Sequence, residues 1–314
     1  MNKYNFDEFS EKYKIKSLKF SRAESVFSAL CNYSKTKSIS EITKSELINI
    51  AKDNMAATPT YMYASHYFKV VKYFYSWMSD FDGVVYKLPS KISANEILLS
   101  IFDFSSSHYR NLDDAVDSII NEKITSKDMK PSPIYDAEEV TTIFDMIACT
   151  AILFWNGFTI DQIIDVKKSD ITGKGVILDG NLVDIQDNHL NILNSVANAE
   201  CYTPFTRSRY AVFVDSEYLL RNHKIPKFKR TTIFWMISRY NQYVEKHNGR
   251  SINLMSLKSD KNFSCLKSYE DSGMSIAKAL RRVYKENFSE NSISYFENYF
   301  IPTYNIWRDV FYRD

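Results

Sequence analysis

Apolar residues along this chain recur mainly at the three-and-four spacing of amphipathic helices. In TPTYMYASHYFKVVKYFYSWM (58–78), Ala64, Phe68, Val71, Phe74 and Met78 form an apolar stripe. Ser65, Lys69, Lys72 and Ser76 form a polar stripe on the same helix, with Thr58 as its cap and Pro59 in its first turn. SISEITKSELINIAKDN (38–54) carries Thr43 and Glu46 at capping-box spacing. NLDDAVDSIINEKI (111–124) reads as a helix, and so does the longer DAEEVTTIFDMIACTAILFWNG (136–157). The second of these is apolar enough to be buried all round, capped by Asp136 and ended by Gly157. A short amphipathic helix follows in FTIDQIIDV (158–166). Helical patterns return at 189–200, 230–247, 254–273 and 274–287. Two interruptions read as β: GVILDGNLVDI (175–185), a hairpin turning on Asp179-Gly180, and the short run YAVFVD (210–215).

The pattern predicts a mostly α protein with a small β-hairpin or sheet. Gly83 and Pro89 interrupt the helices, and Pro131 and Pro133 mark the best linker, KPSPIYD (130–136). The expected division is a helical N-terminal domain over 1–82, a helical connecting region over 83–133 and a larger domain over 134–314.

Composition narrows the chemistry. The 314 residues include only 7 Gly and 7 Pro, too few for an all-β fold, and 22 Tyr and 21 Phe, which predict an aromatic core. The four cysteines form no CxxC pair, which disfavours a disulfide framework and fits a reducing cytoplasm. The five histidines lack ligand spacing, so no metal is expected, and no P-loop, GxGxxG or GxSxG implies a cofactor. No apolar run is long enough for a membrane span. The net charge is +2, so nucleic-acid affinity requires local cationic clusters. Candidate clusters are Lys69 and Lys72, one turn apart; Lys224, Lys227, Lys229 and Arg230 in KIPKFKR; Arg207 and Arg209 in RSR; and Lys258 with Lys261. Each is also what a solvated surface looks like. The aromatic end FENYFIPTYNIWRDVFYRD fits either packing on its own chain or docking on a neighbouring subunit.

The segment NGFTIDQIIDVKKSDI (156–171) resembles the first catalytic box of the tyrosine recombinase (phage integrase) family. Gly157, Phe158, Val166, Lys167, Ser169 and Asp170 match that pattern, but Thr159 stands where the family has arginine. LMSLKSDKNFSCLKSYEDSG resembles the next box, with Met255 on its histidine and Lys258 on its arginine. Lys174 precedes the hairpin on which the family carries its lysine. SENSISYFENYF (289–300) is similar to the approach to the nucleophile, placing Tyr299 on the tyrosine and Glu290 on the preceding histidine. A shifted register pairs Tyr295 with Lys285 instead. The resemblance spans most of the chain and implies a two-domain C-shaped clamp around duplex DNA.

It does not imply the reaction. The family stabilises a charged phosphodiester transition state with planar bidentate arginines and protonates the leaving oxygen. A threonine hydroxyl, a lysine point charge and a methionine cannot replace those groups. Losing one such donor costs ~10²–10³ in rate. The same frame still offers hydroxyls, ammonium groups and helix N-termini to a DNA backbone. The resemblance, with these substitutions, therefore implies a non-catalytic, sequence-specific binder of double-stranded DNA, similar to the recombinase-shaped repressors of SPβ-type prophages. Its partner would be operator DNA, with self-association or a regulatory protein as a further partner, acting at the nucleoid. Two alternatives stay open: an active, divergent site-specific recombinase, and a degenerate fold that binds only protein.

Overall fold

The computed structural model describes residues 3–15, 22–54, 60–125, 140–205, 210–284, 293 and 295–312. Thirteen helices and six short strands fall in two compact units among these residues. One unit is Met1–Phe104 with Glu286–Asp314, the other Ser105–Lys285. This division differs from the expected one. Residues 83–104 join the first unit, the helix over 112–125 joins the second, and the chain's end returns to the first. The linker predicted at 130–136 lies outside the described residues.

The first unit holds α1 (Phe6–Lys12), α2 (Ala23–Thr36), α3 (Lys44–Asp53), α4 (Tyr61–Asp82) and α5 (Ala94–Ile101). The Thr43–Glu46 capping box starts α3 as predicted. Helix α4 begins two residues after the expected cap: Thr60 accepts from the Tyr63 N–H at 3.2 Å, and Thr58 and Pro59 lie outside the described residues. Ala64, Val71, Phe74 and Met78 are buried as the stripe predicts, whereas Phe68 is half-buried. Tyr67, Val70, Tyr75 and Trp77 are buried too, because α4 is packed on more than one side. The core is aromatic: Phe9 lies 4.6 Å from Phe27 and meets Trp77 edge-on at 5.8 Å.

The C-terminal segment completes this unit. A π-helical turn at Phe296–Phe300 runs into α13 (Ile301–Tyr312). Pro302 accounts for the widened turn, since it lacks an N–H and its ring crowds the carbonyl four residues back. Tyr304 and Trp307 are fully buried, so the aromatic end packs on its own chain.

The second unit is built around α7 (Ile143–Trp155), buried at every position from Ile143 to Leu153. It begins later than predicted. Val140–Thr142 is instead a strand, β1, and Thr142 caps α7 in a capping box with Asp145; Asp136 lies outside the described residues. β1 is the edge of a sheet ordered β1–β5–β6, parallel to β5 (Cys201–Thr203), which pairs antiparallel with β6 (Ala211–Val212). The predicted hairpin is β3 (Gly175–Leu178) and β4 (Asn181–Asp184), extended by β2 (Ile171–Thr172) into a second antiparallel sheet. Asp179 and Gly180 both have positive φ, 50° and 80°, as a two-residue type I′ turn requires. Helices α6 (Leu112–Thr125), α8 (Ile160–Asp165), α9 (Asp187–Asn198), α10 (Arg230–Lys246), α11 (Leu254–Asp271) and α12 (Ile276–Tyr284) complete the unit.

Two buried charges hold this unit. Arg221 is buried and donates to the carbonyls of Val196, Ala197 and Ala199 at the end of α9, at 3.3, 3.3 and 2.8 Å. It also stacks 4.3 Å from the Phe213 ring. It thus closes the C-terminus of α9 and ties it to the segment after β6. Asp260 on α11 is fully buried and accepts from His108 Nδ1 at 2.7 Å and from the Tyr109 N–H at 2.9 Å. Arg250 bonds Asp114 at 2.6 Å and also the His108 carbonyl, so residues 108–114 are anchored to the second unit by polar contacts. Burial pushes the Asp260 carboxyl upward, opposed by its histidine partner.

Among the described residues no helix is long and apolar enough to cross a membrane. No group of three or more His, Cys, Asp or Glu there is placed to hold a metal ion. The Asp260→Ala substitution strands two buried donors. It is expected to destabilise the second unit by about 2–4 kcal/mol in urea unfolding, and a loss below about 1 kcal/mol would remove Asp260 from this role.

Candidate nucleic-acid interface

Thr159, expected where the family has arginine, is the N-cap of α8. Its Oγ1 accepts from the Gln162 N–H at 3.3 Å and lies 3.0 Å from Gln162 Oε1, which also accepts the Thr159 N–H at 2.9 Å. The hydroxyl hydrogen is therefore committed within a capping box. Thr159 is exposed, but its local role is to start a helix.

Gly157, with φ at 101°, makes the turn from α7 into α8. The Lys261 Nζ lies 3.9 Å from where a Cβ on Gly157 would sit. The first box and α11 are thus adjacent, and the lysine that reaches the junction is Lys261, one turn beyond Lys258. Lys261 is half-buried, and burial lowers its pKa from 10.5. Lys258 is exposed, and Met255 is 69% exposed near the start of α11, behind the Asn253 cap. Neither lysine has a carboxylate within ion-pair distance among the described residues.

The basic loop is less cationic than its sequence. Lys227 pairs with Asp165 and lies 4.7 Å above the Tyr218 ring. Arg230 pairs with Asp161 at 2.5 Å. Both acids lie on α8 and face the loop from one side, at i and i+4. These exposed pairs contribute little stability but cancel much of the local field. Lys229, the residue preceding α10, is exposed and keeps its charge without a carboxylate partner among the described residues. Lys174 is exposed at the turn before β3, off the hairpin strands.

In the first unit, Lys69 and Lys72 are exposed on α4, 5.6 Å from the Tyr73 ring and 5.8 Å from the Phe68 ring respectively. Tyr299 also belongs to this unit, whereas Thr159, Met255, Lys258 and Lys261 belong to the other. Its hydroxyl lies 3.2 Å from His66 Nε2 on α4. Tyr295 is 54% exposed. Arg207, Arg209, Lys285 and Glu290 lie outside the described residues.

One surface was not singled out from sequence. Ile233, Met236, Ile237, Tyr240 and Val244 turn inward on α10, which leaves Thr231, Phe234, Trp235, Ser238, Arg239 and Gln242 exposed on the opposite face. Phe234 and Trp235 are 50% and 56% exposed. The signal was present, because two large aromatics sit on the wrong side of the apolar stripe.

No protein-family model matches the chain, and no curated protein matches it. Thr159→Ala is expected to lower the stability of the second unit by about 1 kcal/mol, whereas Thr159→Ser retains it. Thermal unfolding of the two variants checks this; equal stability of Ala and Ser variants would deny the cap.

Proposed function

We propose that this protein is a sequence-specific binder of double-stranded DNA, a phage or prophage transcriptional repressor on a catalytically inactive, tyrosine recombinase-like scaffold. The observation that carries the reading is the α11 face: two lysines without carboxylate partners among the described residues, one of them beside Gly157, two residues before Thr159. A partly desolvated ammonium beside exposed backbone suits a phosphate oxygen, which would replace lost water with a charge-assisted bond. Lys229, just before the 17-residue α10, adds a third phosphate ligand, and the exposed α10 stripe offers Arg239, Gln242 and Ser238 to base edges. Lys69 and Lys72 on α4 give the first unit its own cationic face. In this reading the two units act as a two-domain clamp on the duplex, and the protein works at the nucleoid.

The same residues support inactivity. The group in the arginine position is a helix-capping threonine, and the group in the histidine position is a methionine. Neither carries the positive charge that would hold the extra charge of a pentavalent phosphorus.

Purified protein should shift fragments of its own genome, with log K falling against log salt at about −0.9 per phosphate contacted. Replacing Lys258 and Lys261 together by alanine should flatten that slope by about 2 and weaken every duplex alike. An unchanged slope would take both lysines off the DNA. Raising the pH should weaken binding, since Lys261 binds phosphate when protonated and its lowered pKa is reached before that of an ordinary lysine. Lys261→Arg should move that loss to higher pH.

A nicked duplex that traps covalent intermediates should give no protein–DNA adduct, and Thr159→Arg should not create one. An adduct lost on Tyr299→Phe or Tyr295→Phe would establish the recombinase alternative.

A further inference from the structure

We propose that a cavity beside α10 is a binding site for a small aromatic carboxylate, and that its occupation weakens DNA binding. The cavity encloses about 230 Å³ in the second unit. Its walls include Tyr202, Phe205, Phe228 and Trp235, with His223 and Arg239 as polar elements. Binding sites for drug-sized ligands run to about 300–1,000 Å³, so this one fits a single ring system.

The walls are preformed. The Tyr202 ring stacks 4.8 Å from Phe213, and the Tyr202 hydroxyl lies 2.7 Å from His223 Nδ1, which fixes both rings. Phe228 is buried. Trp235 is the exception: it lines the cavity while 56% of its surface faces water, so an aromatic guest would gain apolar area there at no cost in unpacking.

Arg239 defines the charge. It follows Trp235 by one helical turn, and its guanidinium lies 5.3 Å from the indole ring. No carboxylate lies within ion-pair distance of it among the described residues. A planar fork held over an aromatic wall is the geometry that takes a carboxylate through two parallel N–H···O bonds. An uncharged ring would leave that fork unused, and a bare anion would leave the aromatic walls unused. A ring bearing a carboxylate uses both.

The regulatory half rests on the DNA-binding reading. Trp235 and Arg239 line the cavity and also belong to the exposed α10 stripe, so a bound acid covers Arg239, which is assigned to the duplex, and the surface beside it.

The test uses the full chain and three probes: indole-3-acetate, indole and acetate. Saturation-transfer NMR should show saturable binding of indole-3-acetate, binding of indole weaker by about 10-fold or more, and none of acetate. Arg239→Gln should reduce indole-3-acetate to the level of indole, and Trp235→Ala should weaken both ring ligands; both side chains are exposed, so the fold is kept. Absence of saturable indole-3-acetate binding, or binding indifferent to both substitutions, overturns the site. Indole binding as tightly as its acid overturns the carboxylate assignment. Gel shifts with saturating indole-3-acetate should show weakened DNA binding. Ligand binding with unaltered DNA affinity overturns the regulatory half alone. A protein that binds no DNA with or without ligand refutes the DNA reading, and the NMR result still decides the site.

Discussion

The buried carboxylate of Asp260 sets the orientation of α11, and with it the candidate interface. An isolated carboxylate in a protein interior is costly, and it is tolerated here because His108 Nδ1 and the Tyr109 N–H both donate to it. Those donors come from the start of the second unit, so the bond ties that start to α11. With Asp260 turned inward, helical geometry turns Met255 and Lys258 to solvent and leaves Lys261 on the flank, against Gly157. An apolar residue at 260 would pack without specifying this rotation so narrowly.

Net charge is a poor guide to what this surface presents. The chain is nearly neutral, and two of the four cations of its most basic loop are paired with Asp161 and Asp165 on α8. Lys167 is likewise paired with Glu217 at 3.0 Å, and Arg221 is withdrawn into the core on backbone carbonyls. The charges left for a partner include Lys229, Arg239, Lys258 and Lys261 in one unit and Lys69 and Lys72 in the other. A short-range pattern of this kind matters to a phosphate backbone more than the total does, because screening at physiological salt reaches only about 8 Å.

Local signals were legible in the sequence. The Thr43–Glu46 box and the Asp179-Gly180 turn are decided within four residues, and both formed as read. Element starts were less legible: the β1 strand owes its state to pairing with β5, some sixty residues away, so a helical pattern through Val140–Thr142 was overruled by a sheet. The C-terminal segment joined the first unit through burial of Tyr304 and Trp307 and the Tyr299–His66 contact, none of which has a local signature. For the site, the lysine of α11 that lies beside Gly157 was not readable from the sequence. That depends on the rotation of α11, which a tertiary contact through Asp260 determines. The pairing of Lys227 and Arg230 with α8 was hidden for the same reason.

In the proposed function these surfaces hold a specific duplex without cutting it. Genome-wide mapping of the sites the protein occupies in a cell that carries it tests this most directly. A limited set of sharp peaks sharing one sequence is expected, lost together when Lys258 and Lys261 are replaced. Uniform coverage without a shared sequence, or no enrichment over background, would contradict it.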